Sequence, residues 1–399
     1  MKVGIYFWDQ TPSAGGAYTF QSTLVAAVKD LADYTSHAFT VFCGAEIAGG
    51  SGGGNAAGSV KFVVLPLPTF LQRATAALQR DAPLVRKIMP RQNFLERAFL
   101  DDDIELVWFV EGAPSYAIDI PYIATVWDLM HLTHPWFPEV SARGEWTKRE
   151  LARGEYLKRA AAIITGTHAG KREIECFYGV PPERIHLLPH PTPVLKGMSP
   201  EVDEMVLARY GVTGQFLLYP AQFWPHKNHV ALVRALKCLQ DAKFPDFSVV
   251  FVGSDMGNRE FVRRIAEEVG VADKVRFLGF VSTQDLVSLY RKAFALVYVS
   301  FCGPENLPPL EAFALGCPVV AADIPGSREQ LGDCAWLVDP TRPQDIAGAI
   351  TALAENQALR NALIQRGRQR ALQWGGSDYA KGVLAILDRF APIRSAWST

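Results

Sequence analysis

What this 399-residue sequence lacks narrows its function before any motif is read. No apolar run approaches the roughly 18 residues that a membrane-spanning helix needs. Forty basic side chains stand against 41 acidic ones, a formal net charge of -1, so the broad basic field that holds nucleic acid is missing. The six cysteines (43, 176, 238, 302, 317 and 334) form no Cys-x-x-Cys pair and share no zinc-type spacing with histidine. They read as reduced, mostly buried thiols, not as a disulfide framework or a metal centre. No Gly-x-Gly-x-x-Gly follows the first apolar run, which speaks against a two-domain dehydrogenase. No Asp-x-Asp stands at a strand end, and no metal cofactor is expected. Met1-Lys2 leads straight into Val3–Trp8. No cleavable segment is expected before that strand, and the protein reads as cytoplasmic.

What is present is a regular alternation of short β-rich runs and helical patterns. Strands are predicted at Lys2–Trp8, Phe39–Cys43, Lys61–Leu65, Glu105–Val110, Tyr122–Val126, Ala162–Thr165 and Ile185–Leu188. Helices are predicted over Gly16–Leu31, in stretches between Arg73 and Leu100, and over Ala142–Ala161. A Pro-rich break, Pro189-His-Pro-Thr-Pro193, separates this half from a second set of strands. These are Phe216–Tyr219, Ser248–Val252, Val275–Phe277, Ala295–Val299, Val319–Ala321 and Ala335–Val338, and a last helix follows over Ser377–Phe390. Strands that alternate with helices predict an α/β protein with parallel sheets covered on both faces. Two Rossmann-like domains are expected, over 1–195 and 205–376. The Gly-rich run 49–59 reads as a surface loop without chemistry.

The most informative block is Ser300-Phe-Cys-Gly-Pro-Glu-Asn-Leu-Pro-Pro-Leu-Glu-Ala312. A strand feeds a Gly/Pro loop and then a helix whose first turn carries proline, with a carboxylate at Glu311. In open α/β sheets such a place binds phosphates and nucleotides, and a carboxylate one turn inside can accept two hydrogen bonds from a ribose diol. Upstream, Tyr219-Pro-Ala-Gln-Phe-Trp-Pro-His-Lys-Asn228 ends another strand before a helix, where Lys227 can neutralise a diphosphate.

These two blocks resemble the nucleotide-sugar signature of the retaining family-4 glycosyltransferases, which have the GT-B fold of two Rossmann-like domains across a cleft. Their usual motif reads Glu-Gly-Phe-Gly-Leu-Pro-Pro-Leu-Glu-Ala, and the match here is strong from Leu307 onward. The family's first glutamate falls on Gly303, and its Gly-Arg pair falls on Ala221-Gln222. The resemblance implies that the C-terminal helix (377–399) crosses back to the first domain. It also implies donor binding by Gly15 and Gly16 before the first helix, by Gln222, His226, Lys227 and Asn228, by Gly253 in a Val-Gly loop, and by Phe280 in Phe277-Leu-Gly-Phe-Val281. Asn306, Leu307 and Glu311 complete that set. Glu305 is expected to replace the missing glutamate toward the sugar hydroxyls. In Trp127-Asp128-Leu-Met-His131, Asp128 matches the family's acceptor-side aspartate while the family histidine falls on Trp127. His131 is the candidate for the vacant role, and packing under the next helix is the alternative.

The activity implied is transfer of a sugar, mannose-type or deoxyhexose, from a nucleoside-diphosphate donor to a glycan or lipid-linked acceptor, with anomeric retention and no metal. A sugar phosphorylase or epimerase of the same fold, or a non-catalytic nucleotide-binding module, would carry the same pocket. The interval 71–97 holds six basic residues among apolar ones (Arg73, Arg80, Arg86, Lys87, Arg91 and Arg97). It reads as a solvated helix face, with peripheral contact to an anionic membrane as the alternative.

Overall fold

The computed structural model describes residues 1–7, 15–44, 60–66, 69–70, 94–111, 118–193, 205–244 and 246–397. The Gly-rich run 49–59 and most of the basic interval, residues 71–93, lie outside them. The chain divides into two compact units. One comprises Met1–Trp136, Val140–Pro189 and Gly376–Thr399; the other comprises Phe137–Glu139 and His190–Gly375.

The first unit is built on seven parallel strands in the order β3-β2-β1-β4-β5-β6-β7. They are β1 Lys2–Tyr6, β2 Ala38–Cys43, β3 Val60–Val64, β4 Leu106–Phe109, β5 Tyr122–Thr125, β6 Ala162–Thr165 and β7 Ile185–Leu187. Every residue of β4, β5 and β6 is buried, which is why these runs are apolar throughout instead of alternating. Helices α1 (Gly16–Leu31), α2 (Glu145–Arg159) and α3 (His168–Tyr178) lie between the strands. The helix expected over Ala142–Ala161 is interrupted: Arg143 has φ 54, and the regular turns of α2 start at Glu145. The C-terminal helix Gly376–Arg394 belongs to this unit. Its Tyr379 meets Phe20 of α1 at 5.6 Å and stacks on Trp108 of β4 at 6.2 Å, and its Asp388 holds Nε2 of buried His37 at 3.0 Å.

The second unit has six parallel strands in the order β10-β9-β8-β11-β12-β13. They are β8 Gln215–Pro220, β9 Phe247–Val252, β10 Val275–Phe277, β11 Ala295–Tyr298, β12 Val319–Ala322 and β13 Ala335–Val338. Helix α4 (His229–Asp241) follows β8, and α5 (Leu307–Leu315) follows β11. Strand order reverses between β8 and β11, which pair side by side. A doubly wound sheet opens a crevice at that reversal, outside the carboxyl ends of the two strands. The two blocks singled out in the sequence, 219–228 and 300–312, are the connections that leave those ends.

Candidate active site

Each loop at the β8/β11 reversal is fixed by contacts with the other. Leaving β8, a short helical turn (Pro225–Lys227) ends at Asn228, which has left-handed backbone (φ 55). The buried Asn228 amide does not cap α4. It donates to Val299 O at 3.0 Å and to Pro340 O at 2.8 Å, joining the ends of β8, β11 and β13. Leaving β11, the backbone N–H of Phe301 and the hydroxyl of Ser300 both donate to His226 O, at 2.9 and 3.2 Å. Lys227 Nζ donates to Asn306 Oδ1 at 3.4 Å and lies 5.4 Å from the ring centre of Tyr298. Lys227, Asn306 and Leu307 thus come together at one point.

Asn306 itself is clamped. Its backbone N–H donates to Gln330 Oε1 and its carbonyl accepts from Gln330 Nε2, both at 3.0 Å, while its side-chain amide donates to Gly303 O at 3.0 Å. Gly303 explains the departure from the family motif. Its φ is +106, and a Cβ there would lie 3.2 Å from Asn306 Oδ1, so a glutamate at 303 would be strained in this loop. The first turn of α5 also offers few donors. Pro308 and Pro309 carry no N–H and the Asn306 N–H is engaged by Gln330, which leaves Leu307.

Glu311, half-buried one turn into α5, accepts at Oε2 from the Tyr290 hydroxyl at 2.7 Å. Burial raises its carboxyl above the usual range, against the lowering effect of that hydrogen bond. Glu305 is turned inward and buried. Its Oε1 accepts from the His190 backbone N–H at 2.7 Å, and burial pushes it up to about 8. Burial also lowers His190, to about 4. The 3.9 Å approach of His190 Nε2 to Glu305 is then a contact between two neutral groups near pH 7, not an ion pair.

Around this centre, Gly253 (φ +143) packs so closely on Ala221 and Gln222 that a Cβ would collide with the Ala221 carbonyl. Gln222 Oε1 accepts from Trp224 Nε1 at 3.0 Å. Phe280 is 55% exposed, a face a base could stack on. Arg259, at the start of the helix after β9, stands 3.5 Å from Asp255.

Gly15, Gly16, Asp128 and His131 belong to the first unit. Gly15 caps α1 with φ 71 and nothing within 4 Å of its Cβ position. Asp128 Oδ1 accepts from Met130 N–H at 3.0 Å. His131 is fully enclosed: Arg153 lies 3.2 Å from Nδ1, Glu150 3.2 Å from Nε2, and Tyr178 donates to Glu150 at 2.9 Å. Because arginine can only donate, Nδ1 must accept and the proton sits on Nε2, facing Glu150. Burial and then Arg153 lower this histidine. It packs under α2 and α3 as a neutral ring. Glu173 of α3, which no motif signals, is pushed up to about 7 by burial and by the charge of Asp128.

Two other residues escaped the sequence reading. Gln330 contacts Asn306 across 24 positions. Glu139 meets His226 across 87, and no local pattern could have paired them. Among the described residues, no group of three or more His, Cys, Asp or Glu side chains is placed to hold a metal, and no helix is long and apolar enough to cross a membrane.

With this geometry in place, similarity to known proteins is specific. Residues 211–370 match the sequence model of the family Glycosyl transferases group 1. D-inositol 3-phosphate glycosyltransferase of Acidothermus cellulolyticus is 28% identical over 261 residues, 62% of this chain and 58% of that one. The O-antigen chain mannosyltransferase RfbU of Salmonella typhimurium is 27% identical over 194 residues, 49% of this chain and 51% of its own. The matched stretch thus spans half to three-fifths of these relatives' length. Among solved structures, Anabaena Alr3699/HepE in complex with UDP-glucose superposes with a TM-score of 0.70 at 18% identity, covering 98% of this chain and 99% of that one. WaaG, a glycosyltransferase involved in lipopolysaccharide biosynthesis, gives 0.67 at 17%, covering 96% and 98%. The chain has the GT-B fold, and its residues 211–370 are similar to the glycosyl transferases group 1 family.

Proposed function

We propose that this chain is a retaining glycosyltransferase of family 4, which moves a mannose-type sugar from a nucleoside-diphosphate donor to a glycan or lipid-linked acceptor in polysaccharide biosynthesis. The observation that carries this reading is the contact of Lys227 with Asn306 at the β8/β11 reversal, with Glu311 one turn into the helix that starts there, inside the matched stretch 211–370. The Glu311 carboxylate suits a ribose diol, and the Lys227 ammonium suits the leaving diphosphate. The mannose-type sugar draws on the relatives named as mannosyltransferases. No protein nucleophile is assigned: in the retaining route proposed, the departing phosphate oxygen takes the acceptor proton on the face it leaves. Side chains supply the charge, with no metal and no cofactor. The protein works in the cytoplasm, and its acceptor brings it to the inner face of the membrane.

The test is a thermal-shift panel of UDP, GDP, ADP, dTDP and CMP without metal and then with magnesium, followed by donor consumption and the anomeric configuration of the product by NMR. One diphosphate that raises the melting temperature without metal supports the pocket. An inverted product overturns retention, and no shift with any nucleotide overturns the donor site.

A further inference from the structure

Among the described residues, the region around Lys227 is short of positive charge. The family's arginine is replaced by Gln222, the first turn of α5 has two prolines, and Arg259 is paired with Asp255. One arrangement answers this shortage. The three residues Phe137–Glu139 belong to the second unit although their chain neighbours on both sides belong to the first. Phe137 stacks on Phe301 at 5.9 Å and meets the His226 ring edge-on at 6.2 Å. Glu139, 5% exposed at its side chain, places Oε1 2.6 Å from His226 Nδ1 and 3.0 Å from the His226 backbone nitrogen. Its other oxygen, Oε2, is buried and makes no hydrogen bond.

We infer that Glu139 is a positioning residue that holds His226 as an imidazolium, so that His226 and Lys227 together neutralise the diphosphate of the donor. This rests on the donor-site reading above and adds to it a second cation and the group that sustains it. The geometry fixes the roles. A carboxylate only accepts, so Nδ1 must carry a proton toward Glu139, and Nε2 is the nitrogen on the far side of the ring. The ring is 13% exposed, which leaves it an accessible edge. Burial pushes the Glu139 carboxyl up, but hydrogen bonds from the His226 ring and backbone outweigh it and hold it below the usual range. An ionised, enclosed carboxylate favours a charged partner. Lys227 and His229 are further titratable groups near His226. The latter is held neutral, about 3, chiefly by burial, with Lys227 and His226 adding to the effect. The loop facing it from β11 contributes Ser300 and Phe301, which are neutral. Glu139 is the carboxylate that meets this ring.

The experiment is calorimetric titration of the intact protein with UDP and GDP between pH 6 and 9, for the wild type, Glu139→Gln, Glu139→Asp and His226→Gln. The same ligand is used throughout, so its own titration cancels between proteins. In the wild type, affinity should persist to higher pH than in Glu139→Gln, which should bind about tenfold more weakly at pH 8. Glu139→Asp should restore part of that loss. His226→Gln should bind weakly at every pH and lose the protein-dependent part of the profile. Turnover should follow as a fall in kcat larger than any rise in KM, since the charge matters most as the diphosphate departs. If Glu139→Gln and His226→Gln bind with the wild-type pH profile, the pair is a structural clip and the inference is overturned. If Glu139→Gln does not fold, His226→Gln alone decides between these outcomes. If the wild type binds neither diphosphate, the donor site itself falls and this inference falls with it.

Discussion

Each unit contains a histidine held against a glutamate, and the two pairs behave in opposite ways. His131 meets Glu150 through Nε2 while Arg153 donates to Nδ1, so the ring is neutral and fully enclosed. His226 meets Glu139 through Nδ1 and keeps an accessible edge. A histidine–carboxylate contact therefore says little by itself. The third neighbour and the exposed edge decide whether the ring is a core element or a charge to be used.

This contrast can be broken or sharpened by experiment. The largest effect is expected at Glu311, in the same unit as the His226–Glu139 pair. Glu311→Ala should weaken nucleoside-diphosphate binding roughly a hundredfold, since two hydrogen bonds to a charged group are worth about 1.5–3 kcal/mol each before compensation. An unchanged calorimetric Kd would remove the ribose role. Asn228→Ala should be next: it removes two hydrogen bonds to buried carbonyls, at about 0.5–1.5 kcal/mol each, and chemical denaturation reads it directly. Gly303→Glu, which would restore the family's residue on paper, should instead cost about 1–3 kcal/mol through a non-glycine residue at positive φ. A gain in turnover with that variant would show that the loop readily adopts another path. On the enclosed side, His131→Gln should lower stability by about 1 kcal/mol through lost hydrogen bonds, and its denaturation midpoint should lose part of the wild-type dependence on acid. The sign follows from the lowered folded value: the unfolded ring takes up a proton first, so stability falls as pH drops below about 6.5.

A further effect concerns Glu305, and it has the opposite sign. A buried carboxyl raised to about 8 binds its proton more tightly folded than unfolded. Above about 4.5 its contribution falls by about 1.4 kcal/mol per pH unit until it ionises in the folded state. Glu305→Gln should remove that alkaline slope while keeping an acceptor for the His190 N–H. Melting curves that stay parallel to the wild type between pH 6.5 and 8 would show that the carboxyl is already ionised.

Much of the fold is written locally. Apolar runs such as Leu106–Phe109 and Ala295–Tyr298 are buried strands because both faces are covered, and the prolines after Asn306 mark the start of α5. The site is legible to the extent that it is local: Lys227, Asn306 and Glu311 stand at strand ends that the sequence shows. Pairings across the fold are not. Tyr290 on Glu311, Gln330 on Asn306 and Glu139 on His226 join elements 21, 24 and 87 residues apart, and no periodicity encodes them. The inward turn of Glu305 is of the same kind, since its partner is a backbone N–H beyond the Pro-rich break.

The three-residue insertion Phe137–Glu139 also bears on how such a protein can be taken apart or recombined. A fragment running from His190 to Gly375 would contain every strand of the second unit and yet leave His226 without its carboxylate. Exchanging that half between relatives would replace the loops around Lys227 and Asn306 but retain the host's residue at 139. The second unit is therefore discontinuous in sequence, and a chimera joined at the Pro-rich break should keep the His226–Glu139 contact only when the 137–139 segment travels with it.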